Sequence, residues 1–392
     1  MNKFSFVSRC LLAILIFLFF STNLWAVDEV YFAGFSYSSS FDSIKEKFPY
    51  TTKINQTDSN GVSFLDAQML KFIRSNSTNF KTKVNLSDIA KLKDGDAIVL
   101  SLSLENETAY QEVIAGKTRL VIDLALQALY FDFNTMTVVG AFPISVQYIH
   151  VESNKVSEAD IQQYTQNLYI DSSLDSVFKV FKKHLETVQI KERYSSTLQV
   201  SKVSLNLDNI SNLLPSVYKI NSSSLEETLA QSFGKYLSAN QGVPVLPYSK
   251  SAAIGGKMTA RFADGRVYNL KIPEPDYTVS LTLEKLKKVK YSENSSGVAW
   301  IYGGLVNFKV EEPFSGKVYA DLQLKNAVTK VVPASQANVV DWPVYEEALF
   351  NLFYKLSKEI SSPSKKWAKS HSKSPKTVKQ LKKVKEVIEK CK

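Results

Sequence analysis

Two periodicities take turns along this chain. Around residues 118–126, Leu120, Ile122, Leu124 and Leu126 recur at every second position, the period of a strand with one buried face. Asp132-Phe133-Asn134-Thr135 breaks the alternation as a turn, so 118–151 reads as a long meander. At 172–188 the spacing changes to three and four, and Leu174, Val177, Phe178, Phe181, Leu185 and Val188 form one stripe of a helix. Ahead of these lie a strand at EVYFAGFSYS, a helix at GVSFLDAQMLKFIRSN with Leu65, Met69, Phe72 and Ile73 on one face, and a strand at DGDAIVLSLSLEN.

The second half follows the same order. STLQVSKVSLNL is a strand. SSSLEETLAQSFGKYLSANQG is a helix with Leu225, Leu229, Phe233, Tyr236 and Leu237 on its apolar face, and Ser223 and Glu226 stand at capping-box spacing. Val279, Leu281 and Leu283 alternate, and a strand pair surrounds Pro313-Phe314-Ser315-Gly316. The last helix carries Tyr345, Leu349, Leu352, Phe353, Leu356 and Ile360, with Pro343 in its first turn, where a missing N–H costs little. Each half runs strand, helix, strand, hairpin, helix, although the residues themselves match weakly. Half-buried strands imply sheets with helices on one side and some antiparallel pairing. The expected fold is α/β with an α+β tendency: two similar domains, 27–195 and 196–361, each a mixed, partly antiparallel sheet covered by helices.

The ends differ from the body. Residues 1–26 have a basic start (Lys3, Arg9), an apolar run from Cys10 to Phe20 and a terminus at Leu24-Trp25-Ala26, the form of a secretory signal cleaved after Ala26. The run is too short for the roughly 20 residues of a spanning helix, and Cys10 stands at its start, after Val7-Ser8-Arg9, and not behind it, so no lipid anchor is expected. Cys391 is then the one cysteine left, which excludes an intramolecular disulfide and suits a bacterial periplasm or secretion to the medium. Seven Asn-X-Ser/Thr sites, at Asn55, Asn76, Asn85, Asn106, Asn209, Asn221 and Asn294, keep a eukaryotic secretory route open.

Charge is concentrated at the C-terminus. Of the formal net charge of +10, the signal carries two and residues 362–392, with eleven lysines and two glutamates, carry nine, so the body is close to neutral. The first part of this tail, SPSKKWAKSHSKSP, has the composition of a disordered segment. The second, KTVKQLKKVKEVIEKCK, places Val378, Leu381, Val384, Ile388 and Cys391 at helical spacing among lysines. Its apolar face calls for a partner or a membrane interface. Lys365, Lys366, Lys369, Lys373, Lys376, Lys379, Lys382, Lys383 and Lys385 are the candidate residues for an anionic envelope surface or an envelope protein complex. Cys391 offers a disulfide to a second copy, giving a homodimer. Export argues against nucleic acid as the partner.

The strand VYFAGFSYS, the helix running into GVPVLPYS and the hairpin ALYFDFNTMTVVGAFP together resemble the order of elements in the curli-secretion (CsgG-like) lipoprotein family, the TolB N-terminal domain and the flagellar assembly protein T. The likeness covers both halves as pattern. It implies a periplasmic binding or assembly role; the lipid-anchoring cysteine of the curli lipoprotein is absent, which puts pore formation in doubt.

No reaction is legible. His150, His184 and His371 lack metal-ligand spacing, and no metal or cofactor is expected. SAAIGGKMTARF fails as a phosphate loop, because Ser251 replaces the first glycine and Met258 the Mg²⁺-binding hydroxyl. Ser176-Val177-Phe178-Lys179 matches S-x-x-K without its companion motifs. Asp123 and Asp132 lie near one hairpin, but spacing alone does not make them a glycosidase pair; Asp123 is within reach of Arg119. Trp300, Tyr302 and Gly303-Gly304 fit either core packing or a sugar- or peptide-binding surface. The resulting expectation is a non-enzymatic envelope binding or assembly protein tethered by its lysine-rich tail. An envelope-polymer hydrolase and a secreted factor binding a host surface are the alternatives.

Overall fold

The computed structural model describes residues 26–38, 44–87, 89, 97–114, 116–248, 257–262, 266–334 and 340–392. The expected signal lies outside them except for Ala26, as does Gly255-Gly256. Strand β1 (Glu29–Ser38) leads into helices α1 (Pro49–Ile54) and α2 (Phe64–Asn76), the short strand β2 (Lys83–Asn85), and three long strands, β3 (Ile98–Ile114), β4 (Lys117–Asp132) and β5 (Thr137–Glu152). Helices α3 (Glu158–Ile170) and α4 (Val177–Thr187) follow. The second half begins with β6 (Leu198–Leu205) and α5 (Ser222–Gln241), passes through the hairpin β7 (Lys257–Phe262) and β8 (Val267–Lys271), and continues into β9 (Tyr277–Asn294), β10 (Gly297–Glu312) and β11 (Lys317–Pro333). Helices α6 (Trp342–Glu359), α7 (Lys365–His371) and α8 (Thr377–Lys390) end the chain.

The strands form two mixed sheets packed against helices, as the alternation implies. Sheet I has the order β2-β1-β3-β4-β5-β8-β7, and β7 returns to pair with the end of β1, Ser36 to Ser38 against Phe262 to Ala260. The β7–β8 hairpin therefore joins the first sheet although it is encoded within 196–361. Sheet II has the order β11-β10-β9-β6. In sheet I β1 runs parallel to β3, and β4 and β5 continue antiparallel; in sheet II β6 runs parallel to β9, and β10 and β11 continue antiparallel.

The repetition reaches the irregularities. One residue is left out of register at Ala33 in β1 and at Ser201 in β6, each against the following parallel strand. Glu105 in β3 and Glu284 in β9 bulge in the same place. Val139 in β5 and Tyr319 in β11 do so too. The turns after β4 and β10 also match: Met136 (φ 51°) and Gly316 (φ 68°) take the same left-handed place one residue before the next strand. Bulges redirect strands and recur where a fold depends on them, so the two halves share one backbone plan.

Layering follows from which faces are apolar. The inner face of sheet I, with Leu102, Leu104, Ile122 and Phe142, packs under α2–α4 through Met69, Leu168 and Phe181. The inner face of sheet II, with Leu281, Val306, Phe308 and Leu322, packs under α5, α6 and α8 through Phe233, Leu349 and Leu381. Helix α5 has a second contact: Lys235 Nζ donates to the Ser145 carbonyl on the outer face of sheet I (2.7 Å), and Gln231 Nε2 donates to Glu105 Oε2 (3.4 Å). The order of layers is helices, sheet I, helices α5 and α6, sheet II.

Candidate functional site

The tail departs from expectation. The stretch expected to be disordered contains helix α7, begun by Ser364, whose Oγ accepts the Trp367 N–H (3.2 Å). Ser372 then bridges to Leu324 at the free edge of β11. Burial of Ala368 and partial burial of Trp367 against the second core supply what the polar composition concealed. Helix α8 crosses the end of sheet II. Its Gln380 Oε1 accepts the Asp321 N–H (2.9 Å), and its Lys390 Nζ donates to Tyr277 OH (3.2 Å). Leu381, Val384, Val387, Ile388 and Cys391 are buried there, so the apolar stripe is covered by the chain itself and not left for a membrane. Burial also pushes the Cys391 thiol up to about 12, and an intermolecular disulfide would require it to leave the core. All nine candidate lysines, Lys365 to Lys385, remain exposed.

The outer face of sheet II is the second candidate. Two cross-strand rows lie side by side on it: Lys287–Gly303–Ala327 and Lys285–Leu305–Lys325. Together with Ser370 and His371 at the β11 edge they line a groove of about 530 Å³, within the ordinary range of roughly 300–1,000 Å³ for ligand pockets. Gly303, Leu305 and Ala327 give it an apolar floor. His371 stacks on Trp367 at 4.6 Å, and partial burial followed by the charge of Lys355 pushes its pKa down. Trp300 and Tyr302 do not contribute a face here. Tyr302 is buried on the opposite side with its hydroxyl on Asp341 Oδ1 (2.7 Å), and Lys288 spans Asp341 (2.8 Å) and the Trp300 ring (4.6 Å).

A third feature lies between sheet I and helices α5 and α6. Asp123, Ser145, Gln147, Lys235 and Glu346 line a crevice of about 140 Å³. Burial raises the carboxyl pKa of Asp123 and of Glu346, and in Glu346 the neighbouring Asp123 charge adds to it. Glu105, deeper in the same interface, is pushed up to about 7 by burial. Asp123 accepts from Gln147 Nε2 (2.8 Å), while Arg119 pairs across the hairpin with Glu112 (2.6 Å) and not with Asp123. Asp132 sits at the β4–β5 turn, where its Oδ1 accepts the Thr135 N–H (2.7 Å), so the two aspartates stand at opposite ends of a strand segment about 30 Å long.

The remaining sequence candidates have local roles. His184 is buried with Nε2 2.9 Å from Tyr130 OH, and burial pushes its pKa down to about 3, so the ring is neutral. His150 lies on β5 with Nε2 3.5 Å from Glu152. Ser176 begins α4 and accepts the Lys179 N–H (3.4 Å), which accounts for the S-x-x-K spacing. Among the described residues no group of three or more His, Cys, Asp or Glu side chains could hold a metal ion, and no helix is long and apolar enough to cross a membrane.

No family model matches the chain, and no curated protein matches it. Among solved structures it is similar to a putative neuraminyllactose-binding hemagglutinin homolog from Helicobacter pylori, at 14% identity and TM-score 0.27 over 44% of this chain and 87% of that one. It is also similar to a minor lipoprotein from Acinetobacter baumannii, at 11% identity and TM-score 0.23 over 43% and 97%. A hypothetical protein from Chlamydia trachomatis matches at 12% identity and TM-score 0.25 over 45% and 98%.

Proposed function

We propose that the protein is an exported, non-enzymatic binding or assembly protein of the bacterial envelope, held to an anionic surface by its C-terminal lysine face. One observation carries the reading: nine lysines are exposed on a tail whose buried stripe pins it to sheet II. Near an anionic leaflet each lysine contributes on the order of 1 kcal/mol, screened by salt. A face already ordered by the core avoids most of the entropy that a free tail would lose on docking. The small crevice volume beside Asp123 and Glu346 weighs against a hydrolase acting on a polymer, because its 140 Å³ is below the range of ordinary substrate pockets.

Deleting 362–392 would strip part of the second core, so substitution is the better test. The full chain is compared with Lys379→Gln/Lys382→Gln/Lys383→Gln/Lys385→Gln, which keeps helix propensity and the buried stripe. The assay is co-sedimentation with phosphatidylglycerol-containing vesicles and with phosphatidylcholine vesicles. Wild type should pellet with the anionic vesicles alone and be released by high salt, and the variant should stay largely in the supernatant. Equal pelleting of the two proteins would sink the proposal.

A further inference from the structure

The outer face of sheet I shows what the outer face of sheet II is built to receive. Matching the bulges pairs the two faces row by row. Thr108–Asp123–Gln147 corresponds to Lys287–Gly303–Ala327, and Asn106–Ala125–Ser145 corresponds to Lys285–Leu305–Lys325. In sheet I this patch is a helix-receiving surface. Helices α5 and α6 lie over it, with Lys235 on the Ser145 carbonyl and Thr228, Gln231 and Glu346 closing the crevice. In sheet II the same patch has no helix over it among the described residues. Its floor is the more apolar of the two, Gly303, Leu305 and Ala327 against Asp123, Ala125 and Gln147; it exchanges Asn106, Thr108 and Ser145 for lysines, and the one acid, Asp123, gives way to Gly303.

Those three lysines differ from their neighbours. Lys288, Lys290 and Lys309 are ion-paired with Asp341, Glu293 and Glu311. Lys285, Lys287 and Lys325 have no ion-pair partner among the described residues, and all three are exposed around the groove. We infer that this face is a docking site for an acidic amphipathic helical element of a partner protein, seated as α5 and α6 are seated on sheet I but with the charges reversed. A second copy of this chain is a poor match. Its exposed helix layer carries Lys71, Arg74 and Lys183 beside Glu158 and Asp160, which gives no net acidic face.

The test uses the full chain and a fluorescein-labelled synthetic amphipathic helix with a leucine stripe flanked by glutamates. The same peptide with lysine for glutamate is the control, and the readout is anisotropy. Two variants alter the face. Lys285→Glu/Lys325→Glu reverses its charge. Gly303→Trp fills the floor, and a Cβ there meets nothing closer than 3.6 Å, so the strand can accept a side chain. The acidic peptide should bind wild type and the basic peptide should not, and each variant should weaken binding about tenfold or more. If Gly303→Trp lowers the thermal midpoint, the exposed double-lysine variant still decides the question. The proposal is overturned if the acidic peptide does not bind or if it binds the variants equally. Concentration-dependent self-association abolished by the same variants would assign the face to a second copy and overturn it too. The lysine-to-glutamine tail variant should keep peptide binding while losing vesicle binding, so failure of this inference is distinguishable from failure of the tail reading.

Discussion

Strands β1, β3, β4 and β5 of sheet I and the four strands of sheet II share order, bulge positions and turn geometry, yet among the described residues sheet I has helices on both faces and sheet II on one. The backbone plan tolerates either arrangement, and the side chains record which one applies. Where α5 lies over sheet I, the outer rows carry Asn106, Asp123 and Ser145, short polar groups that can be hydrogen-bonded under a helix. Where sheet II is uncovered, the corresponding places carry Lys285, Gly303 and Lys325, and the two long charged chains need water or an anion. A shared fold thus leaves function to the residues on its unmatched surfaces.

Exchanging residues between the halves should show how far the likeness extends. Glu107 on β3 stands where β9 has Leu286. Its carboxylate is buried and accepts the N–H groups of Tyr50 (2.6 Å) and Thr51 (2.9 Å) at the start of α1, whereas Leu286 is surrounded by the apolar side chains of the second core. Leu286→Glu places a carboxyl in that core without those donors and should cost about 4 kcal/mol or more. Glu107→Leu leaves one buried donor, Thr51, and one half-buried donor, Tyr50, without an acceptor and should cost about 3 kcal/mol. Urea unfolding midpoints rank the two. A tolerated Leu286→Glu would mean that the second core is far wetter than its packing implies.

The covered face of sheet I should also impose a pH dependence. Glu105 has its pKa pushed up to about 7 from an ordinary 4.5 because burial penalises its charge. A raised carboxyl binds its proton more tightly when folded. Its stabilising contribution is therefore complete below about pH 4.5 and is lost as pH rises through about 7. The fall is about 3 kcal/mol. Asp123 and Glu346, also raised, add slope in the same direction. Glu105→Gln should flatten the lower part of a thermal-midpoint profile recorded from pH 4.5 to 8, and an unchanged profile would show that Glu105 meets water.

Two adjacent glycines separate the two faces of sheet II. Gly304 points inward, where a Cβ would lie 2.7 Å from Leu349 Cδ2; Gly303 points outward, where the nearest atom is 3.6 Å away. Gly304→Val should cost about 2 kcal/mol through overpacking under α6. Gly303→Val should change stability by less than about 0.5 kcal/mol. Similar losses for both would mean that the outer face is not open.

How much of this was legible depended on whether a feature leaves a period. One-face burial wrote Leu120, Ile122, Leu124 and Leu126 into the sequence, and both helix stripes were readable for the same reason. A stripe shows that a face is buried and not against what, so Leu381, Val384 and Ile388 call for a partner or a membrane interface, and nothing in their spacing names sheet II as the surface that covers them. Bulges at Glu105 and Glu284 shift pairing by a single residue and leave little trace in composition. The β7–β8 hairpin is short, and its partner β1 is remote in the chain, so its pairing was not recoverable. Lys285 and Lys287 look like an ordinary solvated strand edge until two ladders bring Gly303 and Lys325 beside them.

The smallest test concerns the matched turns. Met136 and Gly316 both adopt a positive φ, 51° and 68°. A left-handed backbone costs a residue with a Cβ roughly 1 kcal/mol relative to glycine. Met136 is half-buried and packs beside the cluster under β7–β8, a contact that can offset the strain. Gly316 has nothing within 4 Å of where a Cβ would sit, so no contact can compensate a side chain there. Gly316→Ala should therefore lose about 1 kcal/mol in urea unfolding, as a backbone effect alone. Met136→Gly should gain less than that amount, because relief of the backbone comes with loss of the side-chain contact. If Gly316→Ala were neutral, the left-handed conformation would not be required by the turn, and the match between the two hairpins would rest on their bulges alone.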